Sequence, residues 1–351
     1  METVIQEKKM KFGLQSRAWP AVAFACVAGF LFAPSLRAQD AQERVTVNDV
    51  TRSYVVHLPK GYDQQQHYPV VILLHGLNQD AEEMARLTHF NDQADKDSII
   101  AVYPNALNGR WNIGITEPRF YSGPYRRRGP WGPGYPPPPP RQRREQGQAR
   151  PAADIQFLNQ MLDKLANKYS VNTLRIYATG LGEGGFMALR MGCNMADRVA
   201  AIAPVAAAMP KTMNCIPSRP VAMLLMNGRD DPILPHGGGR YKAGLVQVLS
   251  AEDTAKEWAR QDHCAEKPTQ TKLPPLQKGA KDTKVYTYDG CEEGAQVALY
   301  DVKDGGHTWP GGEQYMTEKE VGKTSLALNA NETIWGFLVT KKIAGESGTE
   351  H

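Results

Sequence analysis

The spacing of apolar side chains changes period along the chain, and each change marks an element. Residues 43–58 alternate apolar and polar positions (Val45, Val47, then Tyr54, Val56, Leu58), the period-2 pattern of strands with one covered face. With Asn48-Asp49 as the turn, this predicts two antiparallel edge strands. The unbroken apolar run at 69–74 predicts a strand covered on both faces. A helix over 81–94 and another buried strand over 98–103 follow. Over 154–169 the apolar residues Ile155, Leu158, Met161, Leu162 and Leu165 return at helical spacing. Beyond them come a short strand from Arg175, a glycine-rich turn, a helix to about Cys193, and strands at 200–205 and 220–226. A helix near 251–261, strands near 285–288 and 296–302, and a helix over 330–339 complete the chain. Strands alternating with helices predict an α/β fold, a mostly parallel doubly wound sheet with antiparallel strands at its N-terminal side.

Two segments break this pattern. Residues 1–38 place a basic stretch from Lys8 to Arg17 before an apolar run at 21–32, with Pro34 and Ala38 behind it. That is the layout of a secretory signal cleaved after Ala38, and the run is too short to span a bilayer as a stable anchor. Cys26 carries little lipoprotein signal, since the apolar run continues past it. The second segment, 117–151, holds ten prolines, five of them consecutive at 136–140, with Arg126-Arg127-Arg128 and Arg143-Arg144. Too polar to fold alone, it is expected to be a disordered surface insertion within one domain over 39–345, because the β/α alternation resumes after it. Residues 346–351 are expected to form a flexible tail.

Composition narrows the classes. Of 351 residues 41% are hydrophobic, enough for a sizeable core, and the net charge is +4. Residues 1–38 carry five basic against two acidic side chains and 117–150 carry eight arginines against two glutamates, so the remainder is net −5. A globally basic nucleic-acid-binding surface is thereby excluded, and any contact with an anionic surface is assigned to the Arg/Pro insertion. Behind the leader stand Cys193, Cys215, Cys264 and Cys291, an even count that favours two disulfides in an exported, extracellular or periplasmic protein; three pairings are open. No C-x-x-C pair or histidine cluster suggests a metal. No cofactor motif stands either. Gly322-Lys323-Thr324 ends like a phosphate-binding loop, but Thr317 occupies the position of its first glycine.

The candidate chemistry lies in loops that end predicted strands, where ligands bind in open α/β sheets. Thr179-Gly180-Leu181-Gly182-Glu183-Gly184-Gly185 is the strand–turn–helix of a nucleophile elbow, G-x-S-x-G, with Gly182 where the serine belongs. His75-Gly76-Leu77-Asn78 can supply the Leu77 N–H as one half of an oxyanion hole, and the Glu183 N–H the other. Asp231 and His307 follow in the order of a hydrolytic triad, as acid and base.

These stretches resemble the secreted polyhydroxybutyrate depolymerase and feruloyl esterase family of α/β-hydrolases, within the wider carbohydrate esterases. The likeness runs through residues 52–59, Leu74-His75-Gly76, Tyr103-Pro104-Asn105, Arg110-Trp111-Asn112, Asp154 with Phe157-Leu158, residues 177–189 and 227–235, and Gly305-Gly306-His307-Thr308-Trp309-Pro310-Gly311-Gly312. It implies hydrolysis of an ester-containing polymer or small ester through an acyl-enzyme, with Asp231 and His307 as two triad members. It also implies disulfides Cys193–Cys215 and Cys264–Cys291, and places Trp111 and Trp309 near the substrate cleft. The family's serine falls on Gly182, which cannot form an acyl-enzyme. The expected outcomes are a weakly active esterase, a protein that binds an ester, polyester or polysaccharide without cleaving it, or an interaction protein acting through its Arg/Pro insertion.

Overall fold

The computed structural model describes residues 40–113, 151–241 and 246–344. The leader expected over 1–38, the insertion up to residue 150 and the tail lie outside these residues. Within them, a ten-stranded sheet runs in the order β1-β2-β4-β3-β5-β6-β7-β12-β11-β10. Strands β1 (Asp40–Val47) and β2 (Val50–His57) form the N-terminal hairpin. Asn48 and Asp49 both take positive φ, 49° and 64°, as a two-residue turn matched to strand twist requires. Only β1 is an edge; β2 is also hydrogen-bonded to β4 (Ile100–Pro104), antiparallel, which corrects the expectation of two edge strands. From β4 through β3 (Tyr68–Leu74), β5 (Val171–Leu181), β6 (Ala201–Val205), β7 (Ala222–Gly228) and β12 (Val297–Val302) all pairings are parallel. The sheet ends in antiparallel β11 (Thr283–Tyr288) and β10 (Thr269–Leu273).

The apolar run of β3 shows why the centre is parallel. Val70, Ile72 and Leu74 pack into one core and Val71 and Leu73 into the other, so neither face tolerates a polar side chain. Helices α3 (Pro151–Lys168), α4 (Glu183–Asn194) and α5 (Ala251–Gln261) cover the first face through Phe157, Phe186 and Trp258. Helices α1 (Ala81–Thr88), α2 (Phe90–Asp97) and α7 (Ala330–Leu338) cover the second through Met84, Phe90 and Trp335.

The single helix expected over 81–94 is two. His89 has φ 52°, and its N–H closes α1 on the Ala85 carbonyl. Thr88 Oγ1 bonds the Met84 carbonyl and receives the Phe90 N–H, a local side-chain alternative to the helical ladder. Pattern reading also missed β10, the small β8–β9 pair (Gly239–Tyr241 with Val246–Val248) and the four-residue helix α6 (Glu318–Val321).

Both disulfides implied by the resemblance are present. Cys193–Cys215 ties the end of α4 to the loop before β7, and Cys264–Cys291 ties the segment after α5 to the β11–β12 connection. Closing loops of 22 and 27 residues, each is worth about 3 kcal/mol by the chain-entropy argument.

Candidate active site

Four strand ends converge at the carboxyl edge of the parallel sheet. The elbow after β5 is held by the Gly182 N–H on the Val205 carbonyl (3.0 Å) and by the Phe186 N–H on the Gly182 carbonyl (3.0 Å). Gly182 itself stands at φ 55°, ψ −117°, a strained backbone that a turn between strand and helix imposes and that other residues adopt only at a cost of about 1–3 kcal/mol. Gly184 answers a different need: a β-carbon there would lie 1.9 Å from the Leu74 carbonyl oxygen. This close approach sets the first turn of α4 directly against the end of β3.

The loop after β3 is therefore carried to the elbow. His75 is buried, its Nδ1–H donating to the Gly76 carbonyl (2.7 Å) and its Nε2 accepting the Ala106 N–H (3.0 Å). Burial pushes the His75 imidazole below its ordinary value, and the Ala106 donor requires the neutral ring. Gln79 Oε1 takes the Gly76 N–H at 2.8 Å, shaping the turn that presents Leu77. The Leu77 N–H has no hydrogen-bond partner among the described residues. Glu183, the other expected oxyanion donor, is the first residue of α4.

Asp231 and His307 are brought together. His307 Nδ1 lies 2.7 Å from Asp231 Oδ2, while Asp231 Oδ1 accepts the Ile233 and Leu234 N–H groups at 2.7 and 2.8 Å. The carboxylate is thus acceptor to three donors, fixing the Nδ1–H tautomer and leaving the Nε2 lone pair outward. The histidine loop is anchored by His307 N–H on the Val321 carbonyl and by the Tyr315 hydroxyl on the His307 carbonyl (2.9 Å). The Asp231 loop is held through Arg229, which grips Asp301 on β12 through Nε (2.7 Å) and Nη2 (2.5 Å). Burial alone would raise the Asp301 pKa, but the neighbouring His236 and Arg229 hold it below the usual carboxylate value.

His307 also meets the elbow. A β-carbon built on Gly182 would lie 2.7 Å from His307 Nε2, closer than real contacts allow. Asp231, His307, the Gly182 turn and the His75-Gly76 loop therefore form one cluster, with the imidazole leaning into the space a serine side chain would use.

The two tryptophans need correction. Trp309 is fully buried, its indole N–H donating to Asn331 Oδ1 (2.9 Å) on α7, so it packs the second core and cannot touch substrate. Trp111 is 4% exposed and donates to the His75 carbonyl at 2.9 Å. It props the His75–Asn78 loop from behind rather than lining an open cleft. Conversely, two neighbours were not singled out from the sequence as site residues. Arg110 Nη2 pairs with Glu183 Oε1 at 3.0 Å beside the elbow. The Tyr241 ring stands 6.2 Å from the His307 ring and 4.8 Å from Phe186. Burial, then the charges of Glu183 and Asp231, push the Tyr241 hydroxyl well above its ordinary value, so it stays protonated. The sequence offered a pointer to Arg110, which precedes Trp111-Asn112, and none to Tyr241.

Residues 49–278 match the model of the esterase family, described as "Putative esterase". The chain is 27% identical over 331 residues to "Putative esterase NocK" of Nocardia uniformis subsp. tsuyamanensis, covering 90% of this chain and 88% of that protein. It is 24% identical over 267 residues to "Feruloyl esterase B" of Piromyces equi, covering 73% of this chain but less than half, 42%, of that protein. Among solved structures, "Crystal Structure of a Thermostable Esterase" aligns with a TM-score of 0.50 at 14% identity, covering 87% of this chain and 63% of that one. At that identity the likeness shows a shared fold, the α/β-hydrolase fold.

Proposed function

The chain belongs to the esterase family, and from that premise we propose that it is an exported ester-hydrolase relative, of the polyhydroxybutyrate depolymerase and feruloyl esterase type, whose turnover is reduced to a residual rate by glycine at position 182. Asp231 and His307 serve as acid and base, and the Leu77 and Glu183 N–H groups as the oxyanion hole. Export is supported by the two disulfides, which persist in oxidising compartments.

The observation that carries the reading is the aim of His307. Its Nδ1 is bound to Asp231, and its Nε2 points at the missing β-carbon of Gly182 from 2.7 Å. Such an imidazole is oriented to take a proton from a hydroxyl that this chain lacks. Loss of a triad nucleophile costs on the order of 10⁶ in turnover, while an intact oxyanion hole and binding site keep ~10³–10⁴ over water. The remaining route is attack by water, with His307 as general base.

The test is a paired hydrolysis assay on a short-chain nitrophenyl ester, comparing wild type with Gly182→Ser and the double variant Gly182→Ser/His307→Ala. The new β-carbon must push the His307 ring back by several tenths of an ångström. Once it does, the hydroxyl meets a base and an oxyanion hole, and a gain of at least about 10²-fold that disappears in the double variant is expected. A gain of no more than a few-fold would show that the cluster is not a poised triad.

A further inference from the structure

With no hydroxyl at position 182, what remains at the elbow is the start of helix α4 and the imidazole of His307. Helix α4 is twelve residues long and starts at Glu183, so its positive end and first N–H groups lie at the elbow. The loop that carries Leu77 reaches the same elbow, where a β-carbon on Gly184 would lie 2.7 Å from the His75 carbonyl oxygen, and the Leu77 N–H has no partner among the described residues. Opposite is His307, 5% exposed, with Nδ1 committed to Asp231 and no partner for Nε2 among the described residues. That nitrogen is aimed at Gly182, the cap of the same helix.

An ester and its acid use this set differently. An ester places its carbonyl oxygen on the two N–H groups and has nothing charged to offer Nε2. A carboxylate places one oxygen on the N–H groups and the other at Nε2, which takes up a proton from solvent and donates it to that oxygen. The result is a charge-assisted pair, about twice as strong as a neutral hydrogen bond. Asp231 stabilises the imidazolium so formed, and Arg110 neutralises Glu183, the carboxylate nearest the ligand.

Building on the assignment of Leu77, Glu183 and His307 above, we propose that the site is a receptor for a small free monocarboxylic acid, which it binds in preference to the corresponding ester. The carboxylate lies between the Leu77 and Glu183 N–H groups and His307 Nε2. The same group occurs at the carboxyl end of a polyester chain, and the test separates the two sources.

Calorimetric titration of the purified chain with cinnamate, methyl cinnamate and a hydroxybutyrate trimer bearing a free carboxyl end provides that test. Amide spectra of ¹⁵N-labelled protein follow Leu77 and Glu183. Wild type is expected to bind cinnamate at least about tenfold more tightly than its methyl ester, a difference of about 1.4 kcal/mol, with both amides moving downfield. His307→Ala is expected to abolish the preference; should that variant fail to fold, the wild-type amide shifts decide. Equal affinity for acid and ester, unmoved amides, or no binding of the acid would overturn the proposal. A trimer binding about tenfold more tightly than cinnamate would overturn the small-acid assignment. Hydrolysis gained by Gly182→Ser without acid preference in the wild type would sink this proposal and leave the esterase reading standing. Acid preference with an inert Gly182→Ser would do the reverse.

Discussion

Asp262 is the buried carboxyl with the most to say about pH. It receives the Val221 N–H on Oδ1 at 3.1 Å, and its Oδ2 is buried with no partner among the described residues. Burial pushes its pKa up to about 7, against the smaller downward pulls of the Val221 N–H and Arg219. Between the ordinary carboxyl value and about 7 the folded chain therefore keeps a proton that the unfolded chain releases, and stability falls as pH rises through that window. The full effect is on the order of 4 kcal/mol. His75 works in the opposite sense. Held neutral by burial, it loses stability for the fold as pH drops through the ordinary histidine value. The wild-type urea midpoint should accordingly be higher at pH 4.5 than at pH 7.5. Asp262→Asn, which keeps the acceptor for Val221, should flatten or reverse that trend. A variant that retains the wild-type pH slope would show that Asp262 does not ionise in this window.

At the scale of elements, one buried ion pair joins three of them. Arg52 on β2 and Asp154 on α3 are both nearly buried, with Nη1 2.7 Å from Oδ1. Arg52 Nη2 donates to the Asn105 carbonyl after β4 (3.0 Å), its guanidinium lies 4.2 Å from the centre of the Phe157 ring, and Asp154 Oδ2 accepts the Asn112 N–H (2.6 Å). The pair thus fixes the segment that places Arg110 on Glu183 and Trp111 under His75. Asp154→Ala would leave a buried arginine uncompensated and should cost about 3–5 kcal/mol in urea unfolding. Its Leu77 and Glu183 amide signals should also broaden or move, because the loop behind them loses its anchor. Unchanged stability would show that water or another group replaces the carboxylate.

The same scale explains what the sequence could convey. Both faces of β3 are apolar, so strand and parallel context were readable from six residues; the glycines of the elbow and the Asn48-Asp49 turn were readable because backbone geometry demands those residue types. Thr269–Leu273 carries no burial pattern, being exposed throughout, and left β10 invisible. The break at His89 has neither glycine nor proline to announce it. Trp309 resembled a cleft aromatic because its loop neighbours His307, yet its partner Asn331 lies 22 residues further on, and only tertiary packing could turn the indole inward. Tyr241 reaches the histidine through a small separate sheet with no local signature.

At the scale of the whole molecule, charge is segregated. Residues 117–150 hold eight arginines and two glutamates, whereas the chain outside 1–38 and 117–150 sums to −5. The described residues on either side of this segment are joined by the Asn112 N–H on Asp154 Oδ2, so a short glycine–serine linker can replace 117–150. That variant should fold and keep its ester and acid binding, because Asp231, His307 and the turn that carries Leu77 are held by the described residues Ile233, Leu234 and Gln79. What it should lose is attraction to anionic surfaces. The intact mature chain is expected to co-sediment with vesicles containing phosphatidylserine at low salt and to be released as the Debye length shrinks from about 10 Å at 0.1 M to about 3 Å at 1 M. The linker variant, net acidic at neutral pH, should remain in the supernatant at both salt levels. Sedimentation that is salt-independent, or equal in the two proteins, would remove the insertion from the account of where this protein binds, because attraction between a dense arginine segment and an anionic surface is electrostatic and must be screened.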